Sequence, residues 1–175
     1  MKRYALATVL VVSLSACANP GPLNLATSDS AEVMAAALVE LVTEDNTFGG
    51  GPPPFTLYLI EDRTNPAAGD ALVDESRGSR KLTGTERQVI EGAIEVYGPV
   101  QWISDPSDWY TDELAPTEVG SVILGVGEAT FSGDTALVPV SLWCGSLCGT
   151  WFTYKLERID AVWQVTGIEG PVAIS

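Results

Sequence analysis

Two of the chain's three cysteines stand close together, in the stretch Trp143-Cys-Gly-Ser-Leu-Cys-Gly-Thr-Trp151. Paired thiols can form a redox couple, half of a metal site or a structural clip. The redox reading suffers from spacing, because thioredoxin-type couples separate their cysteines by two residues and three intervene here. A metal would need two further ligands. The chain has no histidine and only Cys17 as another thiol. A disulfide between Cys144 and Cys148 across a hairpin tip is therefore expected, and no metal. Closing so small a loop is worth about 2 kcal/mol on the chain-entropy model. The second candidate for chemistry is the acidic segment 104–118, with Asp105, Asp108, Asp112, Glu113 and Glu118 around Trp109 and Tyr110. Asp105, Asp108 and Asp112 are the catalytic candidates of a carboxylate hydrolase, which needs two acids converging across a cleft. Their spacing is not that of an EF-hand, so calcium is not implied. A solvated acidic loop is the plainer reading.

The absence of histidine excludes Ser-His-Asp and Cys-His nucleophile systems and the commonest general base near neutral pH. A net charge of −14 argues against nucleic acid, which needs clustered cations. The one local basic group, Arg77, Arg80 and Lys81, could hold an anion but reads as a solvated face. Gly125-Val-Gly127 lacks the third glycine of a dinucleotide site, and no phosphate-binding loop is present. No cofactor is expected. The five tryptophans are expected mainly in the core, with an aromatic pocket for a sugar or apolar ligand as the alternative.

The leader carries the most specific signal. Lys2 and Arg3 precede an apolar run, Ala5–Leu14, too short to span a bilayer and of the length of a signal-peptide core. Leu14-Ser15-Ala16-Cys17 resembles the lipobox of bacterial lipoprotein precursors. The resemblance implies that residues 1–16 are a cleaved signal peptide and that the Cys17 thiol carries lipid. It also accounts for the odd cysteine. Residues 17–28 then form a lipid-anchored tether, of which residues 18–28 would span roughly 17–20 Å as a coil.

Residues 29–175 read as a single α+β domain, with two helices packed on an antiparallel sheet that ends in a four-stranded meander. Asp29 and Glu32 suggest a capping box opening a helix whose apolar face is Val33, Met34, Ala37, Leu38, Leu41 and Val42. Gly49–Pro54 breaks it. Phe55–Ile60 alternates as a strand, and Thr83-Gly-Thr-Glu86 caps a second helix that Gly98-Pro99 stops. Val100–Ile103 is a short strand, and 61–82 and 104–118 are loops. The meander strands are Val119–Gly127, Thr135–Cys144, Thr150–Arg158 and Val162–Ile168. Pro139 inside the second must meet a bulge, an edge or a break. The ending, with Gly133-Asp-Thr-Ala-Leu-Val, Phe152-Thr-Tyr-Lys-Leu-Glu-Arg and Val162-Trp-Gln-Val, is similar to nuclear-transport-factor-2-like and cystatin-like folds. The Asp-His pair of the enzymatic members cannot form here.

The expected protein is a lipid-anchored bacterial envelope domain, facing the periplasm from the outer membrane in a Gram-negative cell. Its expected partners are the membrane, through the lipid, and a small ligand or envelope protein bound without catalysis. A carboxylate-dependent hydrolase of an envelope substrate and a purely structural protein are the alternatives.

Overall fold

The computed structural model describes residues 25–51, 54–73 and 78–175. Leu14, Ser15, Ala16, Cys17, the first part of the tether and Arg77 lie outside the described residues. The chain runs α1 (Leu25–Thr43), β1 (Leu57–Glu61), α2 (Gly84–Ile94), β2 (Val100–Ile103), a 3-10 turn (Pro106–Trp109), β3 (Ser121–Val126), β4 (Thr130–Ser132), β5 (Thr135–Gly145), β6 (Cys148–Ile159), β7 (Val162–Ile168) and β8 (Ala173–Ile174). The class is α+β, as the element pattern implies.

The first helix starts earlier than expected and takes in part of the anticipated tether. Residues 25–28 contain neither glycine nor proline, so nothing stops the helix there. Asp29 is consequently not a cap. It sits within α1 and pairs at 2.6 Å with Arg158 on β6. The capping box of α2 forms as read: the Thr83 hydroxyl accepts from the Glu86 amide, and the Glu86 carboxylate accepts from the Thr83 amide.

The sheet is mixed rather than antiparallel. Its order is β2-β1-β3-β5-β6-β7, with β4 paired to β5 and β8 to β6. β1 is parallel to both of its neighbours, β2 and β3. The reason lies in the connections. Residues 62–99 are long enough for a crossover through α2, and residues 104–120 cross back over β1. α2 packs on the face of the larger core, whereas Trp109 and Tyr110 pack on the other face. Direction and face both reverse, so both crossovers can keep the right-handed sense that sheet twist favours. The antiparallel part of the sheet runs β3-β5-β6-β7, through the four segments expected as the meander, with the short β4 added on β5 and β8 on β6.

Pro139 is accommodated where β5 changes partner. Val140–Trp143 pair with β3, Thr135–Leu137 with β4, and the Gly127 amide donates to the Pro139 carbonyl at 2.8 Å. The missing amide proton falls at the junction between the two partners.

Period-two alternation separates the faces. Tyr58, Ile60, Val122, Leu124, Val140, Leu142, Phe152, Tyr154 and Leu156 meet α1 and α2 in the main core. α1 is buried against both the sheet and α2, which explains why Val33, Met34, Ala37, Leu38, Leu41 and Val42 are wholly inaccessible. On the opposite face a smaller cluster, Leu59, Ile103 and Ile123, is roofed by Trp109, Tyr110 and Trp143.

Candidate functional site

The second face places side chains in rows across the strands. Glu61 ends β1, opposite Ile103. The β1–β3 register pairs Ile60 with Leu124, so Glu61 lies beside Gly125. Gly125 is opposite Ser141, and Ser141 is opposite Trp151. The neighbouring row is Leu59, Ile123, Trp143 and Gly149.

Two glycines shape what these rows can hold. A Cβ at Gly125 would stand 2.5 Å from Ser141 Oγ, 2.7 Å from Glu61 Oε1 and 3.1 Å from Asn65 Nδ2. The bare backbone there lets three polar groups converge. A Cβ at Gly149 would stand 2.7 Å from Trp151 Cη2 and 2.9 Å from Trp143 Cε3. The two indoles lie over that glycine, with ring centroids 5.8 Å apart.

Two loops wall this floor. One follows β1 and is pinned through Asn65. Its amide donates to the Val126 carbonyl at 2.8 Å, its Oδ1 accepts from the Ala67 amide at 2.8 Å, and its Nδ2 donates to Glu61 Oε1 at 2.9 Å. The same loop tucks buried Gly69 against Thr153 and Pro139. The other follows β2 and contributes Pro106 and Tyr110, the latter edge-on to Trp143 at 6.2 Å. The Trp143 indole N–H donates to the Leu114 carbonyl at 3.1 Å, which fixes its ring.

Between the loops runs a cleft in two chambers. The inner, of about 120 Å³, is lined by Glu61, Asn65, Tyr110, Ser141, Trp143 and Trp151, among others. The outer, of about 230 Å³, shares Glu61, Asn65, Pro106 and Tyr110 and adds Arg63, Ser79, Ser104, Asp105 and Ser107. The cleft lies at the carboxyl ends of the three parallel strands, where their connections leave toward opposite faces. Open sheets with parallel strands form ligand crevices at such switch points. Two other hollows are weaker candidates. A groove of about 570 Å³ runs along the solvent side of α2 alone, lined by Gly84, Arg87, Gln88, Glu91, Gly92 and Glu95. An apolar groove of about 330 Å³ beside Phe48, Phe55 and Val119 offers only Glu118 and Ser121 as polar side chains besides the two cysteines.

The acids singled out in the sequence do not converge. Asp105 caps the 3-10 turn, accepting from the Ser107 hydroxyl at 2.7 Å and amide at 2.9 Å. Those hydrogen bonds hold its carboxyl below the usual range. It lines the outer chamber, while Asp108 and Asp112 are exposed and line neither chamber. Among the described residues no group of three or more Asp, Glu and Cys is placed to hold a metal. Of the basic group, the described residues Arg80 and Lys81 both face carboxylates. Arg80 bonds Glu86 at 2.8 Å and Glu128 at 2.7 Å, and Lys81 stands 4.0 Å from Asp62.

Cys144 and Cys148 are at disulfide distance, with Cα atoms 5.1 Å apart. They are not a directly opposed pair. Cys148 faces Gly145, and Cys144 is the extra residue of a bulge. Gly145 at φ +148° makes the turn that permits this. Thr47 Oγ1, just beyond α1, lies 3.1 Å from Cys148 Sγ and ties the tip to the helix exit. Intact protein made in an oxidising compartment should weigh two hydrogens less than the dithiol form, and reduction should cost about 2 kcal/mol of stability. Two alkylatable thiols in that preparation would refute the clip.

Fold and site together define an α+β domain with a mixed sheet and a polar cleft walled by aromatics. The chain matches no protein-family model, no curated protein and no solved structure at significance. No helix of the described residues is long and apolar enough to cross a membrane.

Of the cleft residues, the acidic segment and the tryptophans were visible in the sequence and Gly125 only as part of an incomplete dinucleotide motif, whereas Glu61, Asn65 and Ser141 were not. One signal existed. Alternation puts Glu61 on the same face as Leu57 and Leu59, and a charge closing an apolar row is out of place unless it has work to do.

Proposed function

We propose that this protein is a lipid-anchored bacterial envelope protein whose folded domain binds a small ligand in the cleft without catalysis. The convergence of Glu61, Asn65 and Ser141 over Gly125, beside Tyr110, Trp143 and Trp151, carries the reading. Polar groups that converge in a partly apolar hollow are what binding sites contain. Anchoring rests on the lipobox resemblance at Leu14–Cys17. Several acyl chains on one residue hold a protein durably at a bilayer, at about 0.8 kcal/mol per buried CH₂.

Two readouts test it. Cys17→Ser should move the protein from the membrane fraction to the soluble fraction, and retention would sink the anchor. Envelope extracts should contain a component that shifts the Trp143 and Trp151 indole resonances. Steady turnover of such a component, lost in both Glu61→Gln and Asp105→Asn, would instead favour the carboxylate hydrolase. The specific observation behind that alternative is that Glu61 and Asp105 line one chamber.

A further inference from the structure

We infer that the cleft takes a neutral saccharide, with one pyranose ring in the inner chamber and the next in the outer. This deepens the binding reading above and rests on it.

The lining decides between ligand classes. An aliphatic or aromatic ligand would cover Ser141 and Asn65 without offering them hydrogen bonds, and an uncompensated buried polar group is costly. Ser141 is already only 8% exposed. A cationic ligand would suit Glu61 and the aromatic walls. It would offer donors alone, however, and its continuation would meet the Arg63 guanidinium in the outer chamber. An anionic ligand would face Glu61 and Asp105.

A sugar hydroxyl both donates and accepts. A row of them can serve carboxylate, amide and hydroxyl groups together. Ser141 offers a hydroxyl that can donate and accept, and the Asn65 side-chain amide, which donates to Glu61, has a second N–H. The outer chamber continues the pattern with Ser79, Ser104, Ser107, Arg63 and Asp105. Arg63 is held in place by its Nε and Nη2 donations to Ser79, both 3.1 Å. The weakly polar C–H face of a pyranose has Trp143, Trp151 and Tyr110 to lie against, and aromatic rings supply rigid contact area at low entropic cost. Two chambers sharing Glu61, Asn65, Pro106 and Tyr110 fit two linked rings better than one.

The test titrates full-length mature protein with glucose, N-acetylglucosamine and their β-1,4-linked disaccharides, following the indole N–H signals of the tryptophans by NMR. Choline and indole serve as the cationic and apolar probes. A saturable shift at Trp143 and Trp151 with the sugars is expected, about tenfold tighter for disaccharide than for monosaccharide. Ser141→Ala should weaken it by about tenfold with unchanged melting, and Gly125→Ala, which fills the meeting point of the three polar groups, by more. If Gly125→Ala fails to fold, Ser141→Ala and Trp151→Phe carry the test. A shift with choline or indole but none with sugars would overturn the saccharide and leave the cleft as a binding site. No shift with any probe at tens of millimolar would overturn the saccharide and remove support from the cleft reading as well. Sugar binding that is equally strong in Ser141→Ala and Trp151→Phe would overturn the inference by placing the site elsewhere.

Discussion

Glu86→Gln should lower the unfolding free energy at neutral pH by roughly 3 kcal/mol, the largest single-residue loss expected outside the apolar core. Glu86 is 1% exposed and joins α2 to α1 and to the segment before α2. Its carboxylate accepts from Arg80 twice at 2.8 Å, from the Thr83 amide at 2.7 Å and from the Ser30 hydroxyl of α1 at 2.8 Å. Arg80 in turn reaches Glu128 beyond β3. Burial alone would raise the Glu86 pKa. The Arg80, Thr83 and Ser30 hydrogen bonds outweigh burial and hold it at about 2, against an ordinary 4.5. The folded state therefore binds the proton more weakly than the unfolded chain does. The contribution is whole above pH 4.5 and is lost as pH falls from there through about 2. Glutamine imitates the protonated carboxyl, so it should remove at pH 7 what acid removes at pH 2. Urea titrations of both proteins across that range check this: the wild-type midpoint should fall toward that of the variant as acid is added. Glu128→Gln is the control, since that side chain is 54% exposed and exposed pairs are worth under about 1 kcal/mol. Equal midpoints for Glu86→Gln and wild type at neutral pH would show that the network contributes nothing net.

That network also shows where reading the sequence succeeded and where it stopped. Thr83 and Glu86 announced their mutual capping because it is local, a matter of three residues along one helix turn. Nothing local announced that Glu86 would also collect Arg80 and Ser30, because those contacts depend on how α1 crosses α2. The same division runs through the sheet. The β5–β6 hairpin was legible from alternation and short connections. The parallel pairing of β1 with β2 and β3 was not, because β1 is separated from both partners by segments that read only as helix and loop. The cleft follows from that pairing. Glu61, Gly125 and Ser141 come from three strands and become neighbours only through register, which no spacing in the chain encodes. Asp105, Asp108 and Asp112 drew notice by density, yet adjacency in a loop is not convergence. Only Asp105 reaches the cleft, and it does so while capping a turn.

Gly149→Ala should destabilise the domain by about 1–3 kcal/mol and alter the cleft, although the added group is one methyl. The residue lies in β6, opposite Trp143, with its carbonyl accepting from the Ser175 amide at 2.9 Å. Its φ is not in the left-handed region, so backbone strain is not the cause. Space is. The new Cβ would meet the six-membered edges of both indoles at 2.7–2.9 Å, and neither ring can yield freely. Trp143 is anchored by Leu114 and flanked by Tyr110, and Trp151 borders the neighbouring Ser141. Accommodation requires both rings to swing, into the inner chamber or out of it. The pair's contribution to near-ultraviolet circular dichroism should change, and saccharide affinity should fall with it. Gly92→Ala is the matching control. It lies within α2, where a Cβ meets nothing within 4 Å, and should stabilise by up to roughly 1 kcal/mol through helix propensity. If Gly149→Ala left both the denaturation midpoint and the aromatic spectrum as they are in wild type, the indoles would not be held by this glycine. The stretch between the two tryptophans would then be a clip and no more. If both change, the hairpin that carries Cys144 and Cys148 is also what sets the aromatic wall of the cleft, and the bulge at Cys144 acts on binding through Trp143.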